Sequence, residues 1–254
     1  RELNYASDID SIFLQDGGSK ACHPDEGPLP DFSPEMDDAD YWALWKERAL
    51  RAAGRPASDG EVSGFHDRVA RGVIRLLSSN TGDGIGFRVD ADLRPLGRTA
   101  PLVPSLPVAE DYYQTQGREW ERTAMVKARP IAGDPALGAA FMQTIRPFTY
   151  RRYLDYSALE GIAIVKHDID RAQGGESSRN LKLGRGGIRE NEFFVQALQL
   201  IYGGRTPELR LTGHEAALNA LRAAGLLSDE EATIHLRAYW HLRAVENRVQ
   251  MVEE

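Results

Sequence analysis

Three shortages narrow what this 254-residue chain can be. It has a single cysteine, Cys22, so an internal disulfide framework is impossible and a reducing compartment fits. No apolar stretch approaches the roughly 20 residues needed to cross a bilayer, so no membrane partner is expected. Basic residues do not outnumber acidic ones: the formal net charge is -7, which argues against nucleic acid as a partner, although a local basic groove is compatible with it. A start methionine and a signal-like segment are missing too, and the reading is of a cytoplasmic piece excised from something longer. What is present, 42% hydrophobic and 27% charged residues, is the composition of a globular protein with a sizeable core.

Residues 8–14 of "ELNYASDIDSIFLQD" suit a strand by their β-branched and aromatic content. Residues 17–40 are rich in Gly, Pro, Asp and Ser and read as a long acidic loop, with Cys22 incidental beside His23. "DYWALWKERALRAAG" reads as a helix ending near Gly54. A second helix is expected in "GFHDRVARGVIRLLSS", with Phe65, Val69, Val73, Leu76 and Leu77 on its inward stripe. "IGFRVDADLRP" then alternates. Phe87, Val89, Ala91 and Leu93 share one face, and Arg88, Asp90, Asp92 and Arg94 the other, which predicts a half-buried strand closed by Pro95 and Gly97. From about Val108 the pattern is helical, with no convincing strand longer than "NLKL". The last helix is expected to open on a capping box of Ser228 and Glu231, and to carry Ile234, Leu236, Tyr239, Trp240, Leu242, Val245 and Val249 inward.

The chemistry sits in the acids. Residues two apart on a strand point to one face, so Asp8 and Asp10 converge. Two carboxylates alone would repel, and one would retain a proton. Divalent cations remove that penalty, because Mg²⁺ takes hard oxygen ligands and leaves room for phosphate oxygens. Asp90, on the polar face of a second strand, is the natural third ligand, with Asp92 in reserve. Ser7 is placed to donate to a phosphate oxygen, and Arg88 to offset its charge. The same residues also fit a plain turn at Asp8–Asp10 and a solvated face pairing Asp90 and Asp92 with Arg88 and Arg94.

"ELNYASDID", "FRVDADLRPLG", "EDYYQTQGREWERTAMVKAR", "RPFTYRRYLDYSALE", "NLKLGRGGIRENEFFVQALQLIYGG" and "LRAVENRVQMVEE", in that order, resemble the bifunctional glutamine synthetase adenylyltransferase/adenylyl-removing enzymes. The resemblance covers nearly the whole chain, and "NLKLGRGGIRE" with "QALQLIYGG" is similar to the N-terminal, adenylyl-removing half of that family. It implies an α+β fold: a DNA polymerase β-like nucleotidyltransferase mixed sheet over residues 1–104, truncated at its N-terminus, then an all-helical domain over 105–254. The family's glycine-containing signature lies ahead of "ELNY". The resemblance implies that Asp8, Asp10 and Asp90 hold Mg²⁺ or Mn²⁺ as the catalytic triad, while Asp92 falls where members have Arg or Asp. The implied reaction is phosphorolysis of AMP–tyrosine on adenylylated glutamine synthetase, consuming phosphate and giving ADP, with a PII signalling protein as a further implied partner. ATP-dependent AMP transfer in the forward direction and a non-catalytic docking module are the alternatives.

Further positions are read beside this. "QGREWERTAMVKAR" fits an exposed, salt-bridged helix carrying Arg118, Glu121 and Arg122, from which Lys127 would reach a phosphate. Lys182 and the backbone amides of Gly186 and Gly187 precede a helix start, where anions bind. Asn191 falls on the apolar stripe of that helix, at a place where the family has an aliphatic residue, and so requires a partner. Glu192, Gln196 and Gln199 form a polar stripe beside it. "KHDID" is read as surface charge, and Tyr112, Tyr113, Trp120, Tyr150 and Tyr153 as core.

Overall fold

A computed structural model of the chain describes residues 9–16, 59–82, 84–152 and 180–253. The readings made above for Ser7, Asp8, the acidic loop, the helix ending near Gly54, Tyr153 and "KHDID" lie outside the described residues. The described part is α+β and mostly helical, with two short strand pairs. It divides into two compact units, one from Asp8 to Ala109 and the other holding Glu110–Glu254.

In the first unit, β1 (Ile9–Asp10) pairs in parallel with β4 (Val89–Asp90), and β2 (Asn80–Thr81) pairs antiparallel with β3 (Gly84–Ile85). The register of the parallel pair sets Ile9 beside Val89 and Asp10 beside Asp90. The Ile9 and Ser11 amides donate to Arg88 O and Asp90 O, both at 2.7 Å. Parallel strands need a long crossover, and part of it here is α1 (Asp59–Ser78).

The helix is where the sequence puts it and Phe65 is buried as expected, but the rest of the expected inward stripe is not. Val69, Val73, Leu76 and Leu77 lie on the solvent side, Leu76 at 62% exposure. Ala70 and Ile74 pack instead on Leu102, Val103, Phe13 and Ala91. The phase is set by a small residue and a polar one. Ala70 permits close approach, and Asp67 Oδ1, three residues earlier on that face, accepts the Val103 amide at 3.0 Å.

The alternating strand expected through Leu93 is also cut short. After Asp90 the chain turns, and Arg94, expected on the charged outer face, is buried with its Nη1 donating to Ala91 O at 2.8 Å.

The second unit begins within α2 (Leu106–Thr115) and continues through α3 (Glu119–Met125), α4 (Pro135–Thr149), α5 (Ile188–Tyr202), α6 (His214–Ala223) and α7 (Asp229–Glu253). Local chemistry starts and stops these helices. Asp134 Oδ1 caps α4 by accepting the Ala136 amide at 2.7 Å, with Pro135 in the first turn. Gly225, at φ +70, ends α6 in the left-handed conformation that glycine adopts without a Cβ penalty. The capping box forms as read: Glu231 accepts the Ser228 amide at 2.8 Å and returns its own amide to Ser228 Oγ at 3.2 Å. "NLKL" is a turn, not a strand, because Asn180 Oδ1 accepts the Lys182 and Leu183 amides.

The core of this unit gathers Val195, Leu209, Ala217, Leu218, Leu221 and Leu227 from α5, α6 and their connections. On α7, Ala232 and Tyr239 are buried, whereas Ile234, Trp240 and Val249 are exposed. Tyr112 and Tyr113 are core as expected, but Trp120 is exposed.

Candidate functional site

The β1–β4 ladder is where the candidate site lies. Partners in a parallel register lie about 4.8 Å apart and project their side chains to the same face. Asp10 and Asp90 are such partners, and both are exposed. Two sequence-distant carboxylates therefore share one open face of the ladder. Among the described residues no three His, Cys, Asp or Glu gather closely enough to hold a metal ion, and the third acid expected there, Asp8, lies outside those residues. The donor set that is described consists of hard carboxylate oxygens alone, which suits Mg²⁺ or Mn²⁺ rather than a soft or imidazole-seeking ion.

The two ends of the "DAD" sequence are in different situations. Asp90 Oδ1 accepts the backbone amide of Asp92 at 2.7 Å. The Asp92 carboxylate is taken by Arg98, whose Nη2 lies 2.6 Å from Oδ2 and whose Nε donates to the same oxygen at 2.8 Å. Arg94 Nη1 stands 3.7 Å from the other oxygen. The hydrogen bond from Arg98 and the two guanidinium charges hold the Asp92 carboxyl below the usual carboxylate range. Asp92, the reserve ligand, is thus already neutralised by arginines. Arg98 was not singled out in the sequence, since no local rule couples residues six apart. Arg88 is exposed, two residues before Asp90.

The remaining sequence-derived positions belong to the helical unit. Lys127 follows α3 in a half-buried turn, and Lys182 is exposed in the turn before α5. The Gly186 amide donates to Glu190 Oε2 at 2.6 Å, and the Gly187 amide to Gly184 O at 2.8 Å. A carboxylate from within the chain therefore occupies the place where an anion would meet the first of these amides. Gly187 itself is a packing position: a Cβ there would stand 2.7 Å from both Gly184 O and Leu181 O.

Several polar residues of this unit prove to be buried and paired. Arg122 is not on an exposed helix face; it is 0% exposed, donating to Phe148 O at 3.0 Å, Thr149 O at 3.3 Å and Glu119 at 2.6 Å. Glu121 accepts from Tyr112 Oη at 2.8 Å. Burial, followed by that hydrogen bond and the carboxylate charge, pushes the Tyr112 hydroxyl up to about 12. Asn191, 9% exposed, finds its partners on two other helices. Its Nδ2 donates to His235 O at 3.0 Å, and its Oδ1 lies 3.2 Å from His214 Nε2 and 3.3 Å from His235 Nδ1. Glu192 joins Arg243 at 2.9 Å and accepts from Tyr239 Oη at 3.3 Å. Gln199 donates to Leu209 O and Leu211 O.

Comparison with known proteins finds matches along the chain. The sequence profile of glutamate-ammonia ligase adenylyltransferase matches residues 36–144, and that of the GlnD PII-uridylyltransferase family matches residues 164–254. The chain is similar along its whole length to bifunctional glutamine synthetase adenylyltransferase/adenylyl-removing enzymes. It is 41% identical to that of Rhizobium meliloti, 41% to that of Idiomarina loihiensis and 39% to that of Stenotrophomonas maltophilia. It spans 23% of the first protein and 24% of each of the other two, or about a quarter of the relatives it matches.

Proposed function

Because the chain is related throughout its length to a stretch of the bifunctional glutamine synthetase adenylyltransferase/adenylyl-removing enzymes, we propose that it is their adenylyl-removing part, a DNA polymerase β-like nucleotidyltransferase unit followed by helices. The observation that carries this reading is the register pairing of Asp10 with Asp90 on an exposed face, with Asp8 two residues before Asp10 as the third acid. The substrate is glutamine synthetase carrying AMP on a tyrosine. An oxygen of inorganic phosphate attacks the phosphorus of the phosphodiester. The bond from phosphorus to the tyrosine oxygen breaks, that oxygen gains a proton, and ADP leaves.

Both reactants are anions, so the work of the site is neutralisation and alignment rather than covalent help. Asp8, Asp10 and Asp90 would hold a divalent cation, which would supply the positive charge needed between phosphate and the phosphodiester. Ser7 and Arg88 flank these acids in sequence and are assigned to phosphate oxygens. Within the helical unit, Lys127 and Lys182 are assigned to phosphate contact of their own. The Gly186 amide is open to an anion only when Glu190 gives way, and the Gly187 amide only when its bond to Gly184 O opens.

Incubation of adenylylated glutamine synthetase with the chain, Mn²⁺ and phosphate tests the reading by mass spectrometry. Loss of the AMP mass with release of ADP, strictly dependent on phosphate, is expected. The relatives' names contain both activities, so forward transfer is the second reading. ATP-dependent gain of AMP on unmodified glutamine synthetase would select it. Binding to glutamine synthetase or to a PII protein without turnover would leave the chain a docking module.

A further inference from the structure

We propose that the Asp92–Arg98 ion pair is a clamp that positions the Asp90 carboxylate for a divalent cation. The inference rests on the metal reading above and deepens it, assigning Asp92 and Arg98 as positioning residues rather than ligands.

The clamp is a short chain of contacts. The Asp92 amide fixes Asp90 Oδ1 at 2.7 Å, leaving Oδ2 as the oxygen to which no described residue donates. That amide is held in place from the other side. Arg98 grips Asp92 Oδ2 with two nitrogens, at 2.6 and 2.8 Å, and the buried Arg94 stands 3.7 Å from Oδ1. The chain must reverse for Arg98 to reach back six residues. It does so through consecutive left-handed residues, Leu96 at φ 61 and Gly97 at φ 56.

A leucine in the left-handed region is strained, and an exposed ion pair returns little stability: the Arg98 side chain is 85% exposed. Stability therefore does not account for the loop. Fixing one oxygen of a ligating carboxylate does, because outer partners of a metal ligand set its orientation and basicity. The same contacts decide between the two acids of "DAD": Asp90 is offered to the cation, and Asp92 is committed to the arginines.

The test is Mn²⁺ titration by calorimetry on the whole chain, with thermal unfolding of each variant alongside. Removing Arg98 alone would also remove a positive charge near the cation, so the variant is charge-balanced: Asp92→Ala with Arg98→Ala. The exchange Asp92→Arg with Arg98→Asp keeps both the pair and the backbone amide. The expectation is about tenfold weaker Mn²⁺ binding in the double alanine variant, an unchanged Tm, and binding close to wild type in the exchanged variant. Wild-type affinity in the double alanine variant, with binding lost in Asp90→Asn, overturns the clamp and leaves the metal reading standing. Weak binding by an exchanged variant of normal Tm overturns it equally. If the wild-type chain binds no Mn²⁺, or Asp90→Asn binds it as well as wild type, the metal reading falls and the clamp falls with it.

Discussion

The two units of this chain treat charged side chains in opposite ways. In the helical unit several are buried and bonded within the fold, among them Glu121, Arg122 and Glu246. Arg122 is fully enclosed with three acceptors, and Asn191 is met by two histidines. Arg243 is raised above its ordinary pKa, since its bonds to Tyr239, Glu192 and Glu246 outweigh the penalty of burial. Between Asp8 and Ala109 the acids of the ladder are exposed, and like charges stand side by side. A polar group whose bonds are all made inside the fold serves the fold. Acids set side by side on an exposed face, at a cost in repulsion, point to a role outside the fold. Substitution should therefore harm stability in the first region and activity in the second.

The largest expected effect is on activity. Asp10→Asn and Asp90→Asn should each lower the proposed deadenylylation by about a hundredfold or more, the scale of losing one electrostatic contact to a transition state. Tm should stay the same or rise, because repulsion across the ladder is relieved; activity near wild type in both would break the comparison. Next comes Arg122→Met. It leaves the carbonyls of Phe148 and Thr149 without their donor, and should cost about 3 kcal/mol in denaturant unfolding. Wild-type stability there would mean that the buried arginine is dispensable. Asn191→Leu should cost about 1–3 kcal/mol by removing the Asn191 bonds to His235 O and to the His214 and His235 imidazoles, although leucine suits the stripe better by hydropathy.

The smallest effect is a pH dependence. Burial lowers the His235 pKa, with Glu231 opposing it. A depressed folded-state value means the unfolded chain takes up the proton first. The contribution is thus present above the unfolded value, about 6.5, and lost as pH falls through the folded one. Tm measured from pH 7.5 down to 5 should decline, and His235→Gln should flatten part of that slope.

Features governed by neighbours in sequence were legible. The Ser228–Glu231 capping box and the existence of α1 follow from spacing alone. The pairing partners Asp10 and Asp90 were also singled out, because an acid on each of two strands is a pattern in one dimension. What failed was set across the chain. The rotation of α1 depends on Asp67 meeting an amide 36 residues away, which no apolar count records. Arg122 reads as a surface residue until the carbonyls 26 and 27 positions later close over it. The strand through Asp92 ended early because a side chain captured its own backbone two residues on, a choice alternation cannot express.

Asp10 and Asp90 stand eighty positions apart and meet across a ladder only two residues long on each side. Closing a loop of that size carries an entropic cost that so short a ladder repays poorly. Any ligand grasped by both acids acts as a staple across the loop and stabilises the closed chain by mass action. Occupancy of that face and completion of the fold around it are then coupled events, and the first unit gains cooperativity from what it holds.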